Sequence, residues 1–207
     1  RLPGETIVAA HAALVPDTAA TSDFERLSAT LFAGNALIGS RISGGAGIAL
    51  TDFRVRDDGF SRFLAIDRGM TPRQAGRILQ RLLEIDTYRV MALLALPVAR
   101  QLVPLLSDNE RELAGITDAL ARASTEDEAQ LLERLTRLEA EIESRESAHA
   151  YRFGASAAYH ELVQRRIGEL REERIQGLQT FREFTERRLA PAMNTCQSVA
   201  ERQHALS

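Results

Sequence analysis

The 207 residues, 44% hydrophobic and 27% charged, have the composition of an ordinary globular chain with room for one large domain or two small ones. The net charge of -3 argues against a nucleic-acid partner, because such binders present a basic stripe that displaces counterions from phosphates. All 26 basic residues are arginine, which excludes a lysine Schiff base or a Walker-type phosphate loop, and the single Cys196 leaves no intrachain disulfide and no cysteine-built zinc site.

From Thr6 to Val15 the small and β-branched run TIVAAHAALV, closed by Pro16-Asp17, predicts a buried strand. Asp23 is placed to cap a short helix carrying Phe24, Leu27 and Leu31 on one face. Two further strand-like runs, Asn35 to Ser43 and Gly47 to Arg56, are separated by Gly44-Gly45-Ala46. Asp57-Asp58-Gly59 is the strongest hairpin signal in the chain and joins the second run to a strand from Phe60 to Asp67.

At Thr71 the apolar period changes from two to about 3.6, and Thr71-Pro72-Arg73-Gln74 is a capping box with proline at the first helical position. Ile78, Leu82 and Ile85 lead into the most apolar stretch, Val90 to Leu106, which falls short of a bilayer span and contains Arg100 and Gln101, so a buried helix is expected there. Pro97 and Pro104 are expected to kink or interrupt it, with Ser107 and Glu110 restarting it as a cap. Thr125 with Glu128 forms another capping box, followed by the seam Leu131, Leu135, Leu138 and Ile142. Gly154 is expected to break this helix so that it folds back as a hairpin, with a second long helix running from Ala155 to the end and bent at Pro191.

The fold class expected is α+β: a small, mainly antiparallel sheet with a short helix over 1–71, then long helices over 72–207 forming a bundle or an antiparallel coiled-coil hairpin. Both chain ends read as cuts, since the chain starts at Arg1 without a signal-peptide pattern and Leu206-Ser207 lies inside a helical pattern.

Chemistry-bearing constellations are few. The glycine-rich stretch from Gly39 to Gly47 leads into a strand, not a helix N-terminus, and reads as a hairpin loop, not a phosphate cradle. Arg73, Arg77 and Arg81 recur every four residues and would stack three guanidinium groups on one helix face, a candidate site for an anion or an acidic partner. Asp52, Asp57 and Asp58 crowd one hairpin and are candidate oxygen ligands for a hard cation. The four histidines form no HExxH or i,i+4 pair, although His149 and His160 flank the expected turn at Gly154. No GxSxG elbow, cysteine nucleophile or acid pair supports an enzyme, and no cofactor is called for.

The run FRVRDDGFSRFLAIDRGMTPRQAGRILQRLLEIDTYRVMALLALPVAR, Phe53 to Arg100, and the ending RRLAPAMNTCQSVAERQHALS, Arg187 to Ser207, resemble a proteobacterial family of uncharacterised membrane-anchored proteins, domain-of-unknown-function family 3422. The resemblance implies a longer native protein whose helices lead to membrane segments outside this chain, at the bacterial inner membrane with this part in the cytoplasm. It assigns no catalytic residue. The function expected is a non-enzymatic helical interaction or scaffold module that self-associates through its helices. The alternative is a regulatory, divalent-cation-sensing domain of an ion-transporting oligomer similar in layout to CorA-type transporters.

Overall fold

A computed structural model describes residues 4–206, apart from the side chains at 125 and 126. In chain order the elements are β1 (Ala10–Pro16), α1 (Phe24–Leu31), β2 (Ile38–Ile42), β3 (Gly47–Thr51), β4 (Ser61–Asp67), α2 (Pro72–Leu93), α3 (Leu96–Leu120), α4 (Thr125–Leu170), β5 (Glu173–Arg174), α5 (Phe181–Arg188) and α6 (Ala190–Leu206), which is the α+β arrangement of a small sheet followed by long helices. They form two compact units. One takes the chain up to Met91 together with Tyr159–Ala190; the other takes Ala92–Ala158 and the chain from Pro191 onward. The change of periodicity at residue 71 therefore separates kinds of element, while α2 up to Met91, the end of α4 and α5 belong with the sheet.

In the first unit the strand order is β1-β4-β3-β2-β5, antiparallel except for the parallel pair β1 with β4. One sheet face carries Ile48, Leu50, Leu64 and Ile66, which pack with Leu27 and Phe32 of α1 and its following turn and with Ile175. The opposite face carries the alternate residues of β4, Ser61, Phe63 and Ala65. Asp86 of α2 receives the Ser61 hydroxyl, which sets α2 over that face and explains why Ile78, Leu82 and Ile85 are buried. At Gly39 a Cβ would sit 2.4 Å from Leu50 Cδ2 and 2.6 Å from the Ala49 carbonyl oxygen, so only glycine permits this approach of β2 to β3.

Two strand expectations are corrected. β1 lies at the sheet edge and is largely exposed, not buried. β3 stops at Thr51 and not Arg56, because Phe53 takes a positive φ of 50° and Asp52 turns inward to polar partners. The Asp57-Asp58-Gly59 turn still reverses the chain, with Gly59 N–H donating to the Arg56 carbonyl at 2.9 Å and Phe60 N–H to Asp58 Oδ1 at 2.9 Å.

Caps fall where local chemistry puts them. Asp23 Oδ1 accepts from Arg26 N–H at 3.0 Å, and Thr71 and Gln74 exchange reciprocal backbone bonds at the start of α2. The Thr125–Glu128 box rests on a side chain outside the described residues, whereas Ser124 Oγ and Asp127 Oδ2 stand 2.6 Å apart at the start of α4.

In the second unit α3 and the adjoining part of α4 run antiparallel, joined by residues 121–124. Glu112 lies against Arg134 near the turn, and the Ala92 carbonyl accepts from Ser156 Oγ at 2.7 Å at the far end. α6 runs antiparallel to α4, with Met193 against Ser156 and His204 against Glu146. The seam read from the sequence is real: Leu138 and Ile142 pack on Ile116 with Leu113, Leu135 and Leu206. Its partners are α3 and α6, however, and not a folded-back second half of α4.

Gly154 lies inside an unbroken α4, where its flanks Phe153 and Ser156 are buried; that packing outweighs the roughly 1 kcal/mol helix cost of glycine. The long helix expected from Ala155 instead ends at Leu170, where Arg171 takes a φ of +50° and the chain returns to the sheet as β5 before the Thr180–Glu183 capping box opens α5. Pro97 falls in the first turn of α3 and marks the break after α2, while Pro104 is carried inside α3. Ser107 and Glu110 do not restart a helix; both accept from Arg202 of α6, at 3.2 Å and 2.8–2.9 Å.

Candidate functional site

The arginine periodicity on α2 leads to a cleft in the first unit. Arg77 and Arg81, one helical turn apart, line a cavity of about 210 Å³ with Ser43, Gln74, Glu169 and Arg171. Arg73 is exposed and does not line it, so the structure brings two of the three expected arginines together. The wall facing α2 is the C-terminal end of α4, and the floor is the tip of the β2–β3 hairpin, where Ser43 N–H donates to the Leu170 carbonyl at 2.9 Å.

A chain of charges fixes this cleft. Arg81 Nε donates to Glu169 Oε2 at 2.8 Å, Arg166 Nη1 donates to Glu169 Oε1 at 3.0 Å, and Arg166 Nε donates to Glu84 Oε2. Gln80 Nε2 donates to the other Glu84 oxygen at 2.8 Å. The Arg81 hydrogen bond, seconded by the charges of Arg166 and Arg81 and opposed by burial, holds the Glu169 carboxyl below its ordinary value of 4.5. Arg77 and Arg171, by contrast, have no hydrogen-bond or ion-pair partner for their guanidinium groups among the described residues, and the Ser43 hydroxyl has none either. Sequence reasoning missed Glu169, Arg166, Arg171 and Ser43 because they lie far from α2 along the chain.

The acidic hairpin is arranged differently from a cation site. Asp52 is buried, its Oδ2 accepting from Asn35 Nδ2 at 2.9 Å and Arg56 Nη2 at 2.8 Å and its Oδ1 from Arg54 N–H at 3.3 Å. Asp58 accepts from Phe60 N–H and, at 2.8 Å, from Arg62 Nη2; these bonds, the backbone one foremost, lower its pKa. N–H donors thus occupy the carboxylate oxygens of both residues, and Asp57 is an exposed turn residue. No group of three or more histidine, cysteine or acidic residues among the described residues stands close enough to hold a metal ion.

A polar cluster that sequence reasoning did not find is buried between β4 and α2. Ser61 Oγ donates to Asp86 Oδ2 at 2.6 Å, Arg89 Nη2 donates to Asp86 Oδ1 at 2.6 Å, and the Arg89 guanidinium lies 4.8 Å from the centre of the Phe53 ring. Phe53 is in turn stacked on Phe184 and edge-on to Phe63 and Phe181. Ser61 here donates to a carboxylate held by arginine, an arrangement that fixes β4 to α2 and does not generate an alkoxide. Because α4 is unbroken at Gly154, no turn brings His149 and His160 together; His160 borders a separate cavity of about 180 Å³ with Gln164, Arg182 and Glu186, and burial lowers its pKa.

The apolar stretch after Val90 is also corrected. The helical segment Pro72–Leu120 contains an 18-residue window long and apolar enough to cross a membrane by length and composition, yet only 28% of that window is buried. Small residues, Ala92, Ala95 and Ala99, take the inward positions with Leu102 and Leu106, which leaves Leu94, Val103 and Leu105 exposed.

These features describe a helix-rich α+β protein with a basic cleft and an exposed apolar helix face. The chain belongs to the family described as protein of unknown function (DUF3422), whose model matches residues 1–207. No curated protein and no solved structure matches it.

Proposed function

We propose that this chain is a non-enzymatic interaction module that self-associates through α3, within a protein anchored in the bacterial inner membrane by segments outside this chain and facing the cytoplasm. The observation that carries the proposal is the stripe Leu94, Val98, Gln101 and Leu105, in which Leu94 is 42% exposed, Leu105 is 38% exposed, Gln101 is exposed and Val98 is half-buried. Val98, Gln101 and Leu105 of α3 keep the three-and-four spacing of a helix-packing seam, and Leu94 stands in the turn just before that helix. The stripe is self-complementary. A second copy running antiparallel about the midpoint sets Leu94 against Leu105 and Val98 against Gln101, a closed two-fold contact.

A second copy fits this face better than lipid does. Gln101 is exposed in its middle and Arg100 beside it on another side of the same helix, and an arginine at a bilayer centre costs about 2.5–3.5 kcal/mol or more. Pro104 also leaves the Arg100 carbonyl without its helical N–H donor, which hydrocarbon penalises and water at an interface rim does not. A lone polar residue in an apolar seam sets register at a cost in affinity. The membrane attachment in this reading rests on the family resemblance. The cation-sensing alternative has less support, because N–H donors already hold Asp52 and Asp58.

Sedimentation equilibrium of the chain and of two variants tests the self-association. Gln101→Leu is expected to tighten the dimer by about tenfold and Gln101→Asp to dissociate it, from the transfer free energy of the seam position. Equal sedimentation of all three would remove α3 as the interface.

A further inference from the structure

We infer that the cleft between α2, the end of α4 and the tip of the β2–β3 hairpin is a binding site for a phosphoryl group, held by Arg77, Arg81 and Arg171 with Ser43 and Gln74. Its cavity of about 210 Å³ is far larger than a single water requires, and its polar wall comes from three separate parts of the chain.

The donors are in surplus. Among the described residues, the Arg77 and Arg171 guanidinium groups have no partner, Arg81 spends its Nε on Glu169 and keeps its terminal nitrogens, and Gln74 spends its amide oxygen on the Thr71 cap and keeps its amide N–H groups. The one carboxylate in the wall, Glu169, is shared between Arg81 and Arg166. Three guanidinium groups facing one compensated carboxylate leave a positive cleft whose like charges repel when it is empty. A dianion with three acceptor oxygens relieves that repulsion and uses the fork geometry of arginine better than a single carboxylate can.

The cleft is also set in advance. Glu169 holds the Arg81 guanidinium, Arg166 holds Glu169, and Glu84 holds Arg166, so the chain of pairs fixes one guanidinium before a ligand arrives. Arg171 and Ser43 sit on left-handed backbone, at φ of +50° and +55°, where Arg171 ends α4 and Ser43 opens the hairpin tip. Two residues in this rarely adopted conformation build one wall of the site, brought close by the backbone bond from Ser43 N–H to the carbonyl of Leu170, the residue before Arg171.

The same chemistry is presented by a soluble phosphomonoester and by the headgroup of phosphatidic acid, and calorimetry separates them. The chain is titrated with inorganic phosphate and, separately, with phosphatidylcholine vesicles with and without phosphatidic acid. Binding of phosphate identifies a soluble ligand; binding only of the phosphatidic acid vesicles identifies a headgroup; either supports the site, provided Arg77→Ala and Arg171→Gln each weaken it by at least about tenfold while Arg73→Ala leaves it unchanged. Because the Arg77 and Arg171 side chains make no hydrogen bond or ion pair among the described residues, their variants are expected to melt with the native chain. The inference is overturned if neither probe binds the native chain, if the Arg77 and Arg171 variants bind as the native chain does, or if Arg73→Ala costs as much as Arg77→Ala.

Discussion

Around the sheet, the buried carboxylates of Asp52 and Asp86 accept from neighbouring side chains, and Glu172 takes the Ser40 hydroxyl at 2.7 Å and the first two N–H groups of α5 at 2.8 and 3.1 Å. In the helical unit Leu94, Val103, Leu105, Leu120, Leu132 and Tyr151 stand in solvent, Tyr151 at 70% exposure. The first unit pairs its buried polar groups, and its exposed large apolar side chains, Ile7, Leu14, Leu31, Val55 and Leu83, come from five different segments of the chain. The second buries a narrow stripe, alanine-rich at one end and leucine-rich at the other, and exposes Leu94, Val103 and Leu105 along one stretch of chain. The proposed contact between copies rests on the shared face of Leu94 and Leu105 in the second unit, and not on a larger number of exposed apolar residues there.

That contrast can be tested from the strongest effect downward. Leu138 is 4% exposed beside Ile116 and Ile142, so Leu138→Asp buries a charge without a partner and is expected to cost more than about 4 kcal/mol, read as loss of the helical unit in urea unfolding followed by circular dichroism. Native-like unfolding of that variant would show that the seam contributes nothing. In the first unit, Asp86→Ala strands the buried Arg89 guanidinium and the Ser61 hydroxyl, with an expected loss of about 3–5 kcal/mol; Asp86→Asn, which keeps one acceptor oxygen for Arg89 and turns its amide N–H to the Ser61 oxygen, is expected to lose less. If the two variants unfold alike, the pairing of Asp86 is not what matters there.

Gly39→Ala forces β2 away from the Ala49 carbonyl and is expected to cost about 1–3 kcal/mol in the same urea titration. Gly154→Ala has the opposite sign. Nothing lies within 4 Å of the added methyl and α4 is helical on both sides, so a gain of about 0.5–1 kcal/mol and a melting temperature higher by a few degrees are expected. A lower melting temperature would restore Gly154 as a hinge.

The smallest effect is on pH. The folded-state pKa of Glu169 is depressed, so its contribution is complete above its ordinary value of 4.5 and is lost as pH falls through the lower folded value. Arg81→Ala removes the largest cause of that depression and is expected to flatten the acid limb of the stability curve only slightly, since the pair is partly exposed.

What the sequence made legible was local. Thr71 with Gln74, Asp23 with Arg26 and the Asp57-Asp58-Gly59 turn are side chains bonding backbone a few residues away, and the seam at Leu131, Leu138 and Ile142 is a periodicity within one helix. What it hid was decided at long range. The two-residue strand β5 exists because Glu173 and Arg174 pair with Arg41 and Ser40, and Gly154 stays helical because its neighbours are packed. The helix break at Arg171 needed a non-glycine residue in the left-handed region, which no composition rule announces, although Gly177 and the Thr180–Glu183 box downstream signalled that a new helix was starting. The cleft was half legible for the same reason: the period of Arg77 and Arg81 is written in α2, while Glu169 lies 88 residues on from Arg81.

The most direct measurement is the light-scattering mass of the chain on a sizing column, beside that of Leu105→Asp, with circular dichroism of both. If α3 is the contact between copies, the native chain elutes at twice its 22.9 kDa, about 46 kDa, and the variant at the mass of one chain with unchanged helicity. A native chain that stays at a single-chain mass at high concentration, or a variant that keeps the doubled mass, would contradict the account.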